Sequence, residues 1–487
     1  MGDSGGQVRQ YRRPSRAVHP RGASSLRRVM GGSSYEPPAW HDDRALGASS
    51  DPLPTGGRRA ARPTPGRARV KFIHCSDLHV DSPLDGLERY PGAPVEALRG
   101  ATREALVNLV DLAVSREVDF VVVAGDVFDG DWRDMNTGLF FNAQMRRLER
   151  AGIPVYVKKG NHDAASEITR ALALPANVHE FPTGRAATFR IEALKVALHG
   201  RSFADRAVPE DLAAAYPDPV PGWFNVGVLH TSLAGYAAHD PYAPTSLDTL
   251  RGRGYDYWAL GHVHAREVLQ AHGPRIVYCG NLQGRHAGET GPKGCELVDV
   301  TAGELRAEPV ALDVLRWSVI ALPIDGLADV ADFRRSVEAA MRAAHAAAGG
   351  RLSAWRLRLE GEGPLHRWLS AEPDMARAEL CSIADAASDG RAWVEKVLLR
   401  CREPAGALRP GPDDPLSDCL ALVAELRADP TRLRAFADGA LRELSAKLPP
   451  ALRGGAQSIG LDDPAMLDTL LGEAEALLLE RLARAAP

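Results

Sequence analysis

Histidine, aspartate and asparagine side chains recur in five short motifs between residues 77 and 264. In chain order the motifs are Asp77-x-His79, Gly125-Asp126-x-x-Asp129, Gly160-Asn161-His162-Asp163, His230 and Gly261-His262-x-His264. Imidazole, carboxylate and carboxamide groups together suit divalent ions such as Mn²⁺, Fe²⁺ or Zn²⁺. The neutral amide of Asn161 and the lack of cysteine in the motifs disfavour a closed structural zinc site. The motifs therefore predict a catalytic metal centre.

This set of ligand types suits hydrolysis of a phosphoester. The reaction needs a nucleophile made from water at neutral pH, neutralised phosphate oxygens and help for the leaving group. Two cations about 3.5 to 4 Å apart supply all three. A carboxylate can bridge the ions, while imidazoles and a carboxamide leave residual positive charge that attracts phosphate. We therefore predict two divalent metal ions as cofactors.

Each motif taken alone also has a purely structural explanation. Asp77 and Asp126 could form turns or cap helices, and Gly160-Asn161 is a common turn dipeptide. His230 alone could be a core histidine. The conjunction of five motifs, each placed at the end of a predicted strand, favours one shared site instead.

The motifs follow apolar segments that predict buried strands. The segments VKFIHCSD (70–77) and DFVVVAGD (119–126) flank a predicted helix at 95–117, which makes a β-α-β unit. Further strands are predicted at 153–160, 194–200, 224–230 and 255–262, with a helix at 138–152. Because open α/β sheets gather binding side chains at strand ends, we expect one α/β layered domain over residues 70–311.

The pattern restarts after residue 312. Two strand-helix passes and a final strand predict a small α/β domain at 312–405. A Pro/Gly-rich break at 403–415 leads into residues with helical spacing, so 406–487 should be a linker and C-terminal helices. Residues 1–69 are rich in Arg, Pro, Gly and Ser and should form a disordered basic extension, although a transit peptide has a similar composition.

Charge is distributed unevenly. Residues 1–69 contain 13 arginines and five acidic residues, so a chain of net charge −4 carries −12 in residues 70–487. That balance excludes a globally basic DNA-binding protein. Five basic residues near the motifs could contact phosphate, or could simply form a solvated face: Arg133, Arg146, Arg147, Lys158 and Lys159.

Some histidines and the cysteines lie outside the motifs. His74 and His199 fall within strands and should pack in the core, whereas His239, His272 and His286 fall in loops, and His286 could approach a substrate. The six cysteines are scattered and no long apolar segment occurs, so we expect a reducing, cytoplasmic environment and no membrane association.

The five motifs resemble the signature of the calcineurin-like metallophosphoesterases, which runs D-x-H, G-D-x-x-D, G-N-H-D/E, H, G-H-x-H. The resemblance covers roughly residues 70–310. It implies an α/β fold, a four-layer α-β-β-α sandwich with a small α/β capping domain and C-terminal helices. The segments HCSDLHVDSPLDGL and GDVFDGDW are also similar to the DNA repair exonuclease branch, of SbcD-type and YhaO-like bacterial proteins.

The resemblance implies a role for each motif residue. The first metal would be held by Asp77, His79, Asp126 and His264, and the second by Asp126, Asn161, His230 and His262. His162 would stabilise or protonate the reacting phosphate, and Asp163 would orient His162. Asp129 stands where eukaryotic and archaeal relatives place a catalytic histidine. Its role is left open, one option being to orient a neighbouring imidazole.

The resemblance also implies an activity and partners. We expect a manganese-dependent DNA exonuclease or endonuclease acting in repair, with a homodimer as one assembly. No G-x-x-x-x-G-K-[ST] loop occurs, so ATP would be bound by a separate SbcC-like coiled-coil ATPase, docked on the C-terminal helices. Two alternatives remain open: a phosphoesterase for small molecules or phosphoproteins, and a non-catalytic scaffold.

Overall fold

The computed structural model describes residues 69–82, 92–129, 134–165, 172–233, 243–404, 415–447 and 463–485. The predicted basic extension lies outside the described residues except for Arg69, and so does most of the predicted linker.

Two six-stranded sheets form the first domain. The first sheet has the order β12-β11-β1-β2-β3-β4, with β1 to β4 parallel and β11 and β12 antiparallel. Its strands, numbered in chain order, are β1 (Val70–Cys75), β2 (Phe120–Val123), β3 (Val155–Val157), β4 (Val178–Glu180), β11 (Gly294–Thr301) and β12 (Glu304–Ala311). Strands β1 to β3 are buried on both faces, which explains their continuous apolar sequences.

The second sheet has the order β5-β6-β7-β8-β10-β9, with β6, β7, β8 and β10 parallel. Its strands are β5 (Ala187–Ile191), β6 (Val196–Gly200), β7 (Phe224–His230), β8 (Tyr257–Gly261), β9 (Glu267–Gln270) and β10 (Arg275–Tyr278). The predicted strands at 194–200, 224–230 and 255–262 are therefore confirmed as β6, β7 and β8.

The two sheets pack face to face through a shared apolar core. Phe72 and Phe120 of the first sheet stack with ring centroids 4.9 Å apart, and Tyr257 of the second sheet meets Phe72 edge-on at 5.4 Å. Val196 and Val226 of the second sheet belong to the same buried cluster. This shared core packs the parallel strands of the first sheet against those of the second sheet.

Helices cover the two outer faces. Helix α1 (Val95–Ser115) and helix α2 (Met135–Arg150) pack on the first sheet, and α2 begins after Asp134, whose side chain accepts the N–H of Asn136. The second sheet carries a thinner layer, a 3₁₀ turn at Ala213–Ala215 and helix α4 (Leu247–Gly252). The short helix α3 (Asn161–Ala165) follows β3. The α-β-β-α prediction is confirmed.

A second α/β region follows residue 312. Three parallel strands are ordered β13-β14-β15, with helices packed through a core that includes Phe333, Trp355 and Leu380. Its elements are β13 (Leu315–Pro323), α5 (Val330–Ala347), β14 (Leu352–Glu362), α6 (Leu365–Ala371), α7 (Pro373–Ser388) and β15 (Ala392–Arg402). The seven-residue α6 was not predicted, because about two turns offer too little periodicity to detect.

The C-terminal region is helical, as predicted. Its helices are α8 (Pro415–Ala428), α9 (Pro430–Ala440), α10 (Arg442–Lys447) and α11 (Pro464–Ala485). They share a small core that includes Leu426, Leu433 and Leu467. Within the part of the chain that the structure describes, no helix combines the length and hydropathy needed to cross a bilayer.

Candidate metal centre

The predicted site residues lie where strands of the two sheets end. Asp77 follows β1, Asp126 follows β2, and Asn161 follows β3. His230 is the last residue of β7, and His262 comes directly after β8. Because these parallel strands point the same way in two packed sheets, their ends form one edge and their side chains converge.

The backbone at this edge is strained. Asp77 (φ 52°), His79 (φ 43°), Asp126 (φ 53°) and His262 (φ 99°) all have positive φ, a region that costs non-glycine residues free energy. Main-chain hydrogen bonds help to hold it, because the N–H of Asp77 donates to Gly125 O at 2.9 Å and the N–H of His79 donates to Asp126 O at 3.1 Å. The loops are thereby fixed with their side chains directed into one pocket.

The motif glycines are required by close contact. A Cβ on Gly160 would fall inside van der Waals contact of the Asp126 carboxylate, and one on Gly125 would overlap the ring of His230. A Cβ on Gly261 would collide with Ala124 O. The glycines therefore let the main chain approach the predicted metal ligands.

Asp77, His79 and His264 form one half of the site. The Nε2 atoms of His79 and His264 lie 3.2 Å apart, and Nε2 of His264 lies 3.6 Å from Asp77 Oδ1. The Nδ1 atom of each ring contacts a carboxylate. Nδ1 of His79 lies 2.7 Å from Asp129 Oδ1, and Nδ1 of His264 lies 2.7 Å from Glu289 Oε1. Since an ionised carboxylate only accepts, Nδ1 carries the proton and Nε2 presents its lone pair.

Asp126, Asn161 and His230 form the other half. The Nδ1–H of His230 donates to Ala124 O at 2.9 Å, which turns its Nε2 lone pair toward Asn161 Oδ1 at 2.9 Å and Asp126 Oδ2 at 3.2 Å. Asp126 Oδ2 is also 4.0 Å from His79 Nε2. Asp126 therefore lies between the two halves, where a bridging carboxylate is required.

His262 belongs to the same cluster. Its backbone N–H donates to both carboxylate oxygens of Asp77, at 3.2 and 3.0 Å, and its ring centroid lies 5.2 Å from that of His230. The structure thus brings all seven predicted metal ligands together.

The donor chemistry fits divalent cations. The Nε2 lone pairs of His79 and His264 face each other, and carboxylate and amide oxygens surround them, so the site concentrates acceptors that need a shared cation. Burial acts to raise the pKa of Asp126, but the imidazoles of His230 and His79 outweigh burial and hold that pKa well below its ordinary value. Asp126 is therefore ionised and available as a ligand.

His162 stands at the edge of this cluster. Its side chain is 34% exposed, and its Nδ1 lies 3.3 Å from Asp129 Oδ1. Its ring meets that of His79 edge-on at 5.1 Å. Burial lowers the pKa of His162 below its ordinary value, which favours the neutral ring at neutral pH. Asp129 therefore contacts both His79 and His162, in agreement with the option that it orients an imidazole.

The contacts of Asp163 differ from the prediction. Its Oδ1 accepts the backbone N–H groups of Val127 and Phe128 at 2.9 and 3.1 Å, and its Oδ2 accepts that of Gly160 at 3.1 Å. The predicted contact between Asp163 and His162 is wrong. The Asp163 carboxylate instead accepts hydrogen bonds from the loop after β2 and the loop after β3, and so links these two loops. Burial, followed by the nearby Asp126, raises the pKa of Asp163 to about 6.

Sequence reasoning missed two residues beside the site, Arg285 and Glu289. Glu289 is buried and accepts a hydrogen bond from His264, while Nη1 of Arg285 lies 3.6 Å from Asp129 Oδ2. His286, which was predicted as a loop residue that could approach a substrate, has a side chain that is 66% exposed. A glutamate three residues further on gave no local signal.

The basic residues near the motifs are engaged elsewhere or exposed. Arg147 pairs with Asp111, Lys159 pairs with Glu180 at 3.1 Å, and Arg146 is exposed. Lys158 is fully buried, with Nζ 3.7 Å from the centre of the Phe203 ring, and burial lowers its pKa to about 7. Arg133 and His239 lie outside the described residues.

The histidines predicted to pack in the core do so. His74 and His199 are fully buried, whereas His272 is exposed.

Two family matches cover most of the described α/β regions. Residues 70–266 match the family described as calcineurin-like phosphoesterase, and residues 317–402 match the family described as metallophosphoesterase YhaO, middle domain.

Individual proteins are similar to this chain over about half its length. An uncharacterized metallophosphoesterase, YhaO of Bacillus subtilis, is 40% identical over 259 residues, which cover 52% of this chain and 63% of YhaO. The DNA double-strand break repair protein Mre11 of Sulfurisphaera tokodaii is 22% identical over 275 residues, covering 53% of this chain and 67% of that protein. This chain thus matches less than two thirds of the length of YhaO.

Among solved structures, TT1561 of Thermus thermophilus aligns with a TM-score of 0.31 and 12% identity, covering 50% of this chain and 100% of that chain.

Proposed function

Residues 70–266 of this chain belong to the calcineurin-like phosphoesterases, and on that premise we propose that the protein is a two-metal phosphodiesterase that cuts DNA. One observation carries the proposal: two adjacent sets of ligands converge on Asp126. Its Oδ2 atom lies 3.2 Å from Nε2 of His230 and 4.0 Å from Nε2 of His79. Such a shared carboxylate is what a pair of cations requires.

The chain's own residues define how the cations would be held. Asp77, His79, Asp126 and His264 would hold one, and Asp126, Asn161, His230 and His262 the other. We propose manganese for both positions, in keeping with mixed imidazole, carboxylate and amide donors. When bound, such a pair lowers the pKa of water and neutralises phosphate oxygens.

We propose His162 as the group that stabilises or protonates the reacting phosphate. With its Nδ1 directed at Asp129, its Nε2 is the ring atom left to meet the phosphate. The partly exposed side chain can reach a substrate that enters from solvent. Asp129 keeps the ring in one orientation and stabilises its protonated form, because a carboxylate attracts the imidazolium.

DNA is proposed as the substrate from similarity to relatives. The Mre11 relatives are named as DNA double-strand break repair proteins. The predicted ligands can act on a phosphodiester as well as on another phosphoester. A net charge of −12 over residues 70–487 disfavours strong unassisted binding to a polyanion. We therefore propose that a partner supplies cationic contacts.

The proposed partner is a coiled-coil ATPase of the SbcC type that docks on the C-terminal helices. Leu422, Phe436 and Leu444 on those helices are 44%, 53% and 48% exposed, and we propose that they contact the partner. A homodimer and a cytoplasmic location complete the proposal. The partner is tested by copurification with a coiled-coil ATPase, which Phe436→Glu should abolish while the exposed control Val114→Glu on α1 should not.

The competing function is hydrolysis of a small-molecule or phosphoprotein phosphoester by the same metal centre. The test is to load the purified full chain with Mn²⁺ and to assay linear DNA, a cyclic nucleotide and a phosphoprotein in parallel. We expect cleavage of DNA that stops with a chelator and in an Asp126→Asn variant. If the protein hydrolyses the cyclic nucleotide or the phosphoprotein and leaves the DNA intact, the proposed substrate is wrong. Failure on every substrate, despite bound metal, would favour a scaffold.

A further inference from the structure

A buried carboxylate lies behind each imidazole of the first half-site. Glu289 Oε1 accepts from Nδ1 of His264 at 2.7 Å, and Asp129 Oδ1 accepts from Nδ1 of His79 at 2.7 Å. The carboxyl side chains of Glu289 and Asp129 are only 8% and 12% exposed. In the second half-site, the Nδ1 of His230 donates instead to a neutral carbonyl, Ala124 O. The charge behind His79 and His264 therefore differs from that behind His230.

Glu289 is held by its own loop. Its Oε2 accepts the backbone N–H of Arg285 at 2.8 Å and Nδ2 of Asn281 at 2.9 Å, which leaves Oε1 for His264. Gly284 is needed for this packing, since a Cβ there would lie 2.7 Å from Glu289 O. Three N–H donors, one each from Arg285, Asn281 and His264, thus fix the carboxylate. Burial acts to raise the pKa of Glu289, but His264 and Arg285 outweigh burial and hold that pKa well below its ordinary value.

Arg285 spans the two carboxylates. Its Nη2 lies 3.5 Å from Glu289 Oε1, and its Nη1 lies 3.6 Å from Asp129 Oδ2 and 3.1 Å from Ser82 Oγ. The guanidinium is 18% exposed, so solvent screens these contacts only partly. One planar cation therefore joins the groups that orient His264 and His79.

We propose that Glu289 is a positioning residue for the first metal, tied through Arg285 to Asp129, and that this half-site binds its metal more tightly than the second. The inference rests on the proposed two-metal function. A carboxylate behind an imidazole fixes the ring tautomer and raises the basicity of Nε2, which strengthens its bond to a cation. A carbonyl fixes the tautomer with less effect on basicity, so the half-site with His230 gains less.

The test is a calorimetric titration of the metal-free full chain with Mn²⁺ alone, with free Mn²⁺ counted by electron paramagnetic resonance. The wild-type protein should show two binding steps. Asn161→Ala should weaken the second, weaker step. Glu289→Gln keeps the size of the side chain but removes its charge, and it should weaken the tighter step about 10- to 100-fold.

Two further variants sharpen the result. Arg285→Lys keeps the positive charge but cannot reach both carboxylates, so it should weaken the same step by a smaller factor. Glu308→Gln makes the same chemical change on an exposed side chain of β12 and should leave both steps unchanged. The inference is overturned when Glu289→Gln leaves the tighter step within about twofold of wild type, or weakens both steps equally.

A merely structural role for Glu289 is separated by thermal unfolding. If Glu289 only packs its loop, Glu289→Gln should lower the melting temperature of the metal-free protein. If Glu289 positions His264, the variant should instead show a smaller rise in melting temperature when Mn²⁺ is added. If Glu289→Gln does not fold, Glu289→Asp keeps the charge but is too short to reach both its loop and His264, and the same selective weakening is expected. A wild-type chain that binds no Mn²⁺ would defeat the proposed function itself, whereas normal two-step binding by the variants defeats this inference alone.

Discussion

The imidazole of His162 lies against the carboxylate of Asp129, with 3.3 Å between Nδ1 and Oδ1. The same Oδ1 lies 2.7 Å from Nδ1 of His79. One carboxylate therefore orients a predicted metal ligand and the predicted catalytic histidine, although Asp163 is the neighbour of His162 in the chain.

Removing the ring of His162 should separate catalysis from metal binding. His162→Ala leaves the seven predicted ligand residues in place but removes the group proposed to stabilise or protonate the phosphate, so kcat should fall about 10²- to 10⁴-fold while two Mn²⁺ still bind. Steady-state cleavage and a Mn²⁺ titration check this. The exposed His272→Ala is the control and should behave as wild type. Unchanged turnover in the His162 variant would refute the role given to this residue.

Asp163→Asn should act on stability first. An amide has one acceptor oxygen and one donor nitrogen, so a backbone N–H of Val127, Phe128 or Gly160 loses its acceptor. We expect a loss of about 1 to 3 kcal/mol in the free energy of unfolding, measured with urea on the metal-free protein. Asp205→Asn, at an exposed position, should have no effect. If the Asp163→Asn variant has normal stability and only its kcat falls, Asp163 would act on His162 as the sequence predicted.

Gly160→Ala should disrupt the shared carboxylate. Because a Cβ at residue 160 would collide with Asp126 Oδ1, either the loop or Asp126 must move, and we expect Mn²⁺ affinity to fall at least tenfold with loss of cleavage. The control is Gly252→Ala in helix α4, where a Cβ meets no atom within 4 Å. Normal metal binding in the Gly160 variant would show that the carboxylate does not sit where the cations are held.

The buried His74 predicts a pH dependence of stability. Burial lowers its pKa from 6.5 to about 4, while its ring contacts Tyr257 Oη and Leu260 O. The unfolded chain binds a proton at this residue below pH 6.5 and the folded chain does not, so the stability present above 6.5 should be lost as pH falls toward 4. The loss from this residue is about 3 kcal/mol.

The matching comparison is His74→Gln, which cannot titrate. Chelator-treated wild type and variant are unfolded with urea at several pH values between 4 and 7. The variant should show a shallower decline over that window. Parallel curves for the two proteins would mean that His74 takes up its proton in the folded state.

The strands that precede the motifs could be predicted because each carries its own apolar signal, whereas β4, β5 and β9 to β12 were not predicted. Strands β1 and β2 are buried on both faces, so their sequences are continuous apolar segments bounded by polar motifs. The second α/β region was predicted from its repeated strand and helix patterns. Family similarity over residues 70–266 confirms the resemblance that the five motifs suggested.

The local sequence could not reveal which loop supports which ligand. His264 and Glu289 are 25 residues apart, and His79 and Asp129 are 50 apart, so their contacts depend on how separate loops pack. The assignment of Asp163 to His162 failed because adjacency along a chain does not determine side-chain direction at the start of a helix.

The sequence by itself determined the kinds of ligand atoms, the strand ends that carry them and hence the chemistry of a metal centre, because apolar patterning and motif spacing are local properties. Only the tertiary structure decided that Asp126 stands between two half-sites and that Asp129 and Glu289 orient the imidazoles of one of them. The physical reason is that hydrogen bonds between distant loops depend on side-chain positions of a few tenths of an ångström. Those positions are set by the packing of the two sheets and by the glycines that allow their loops to approach.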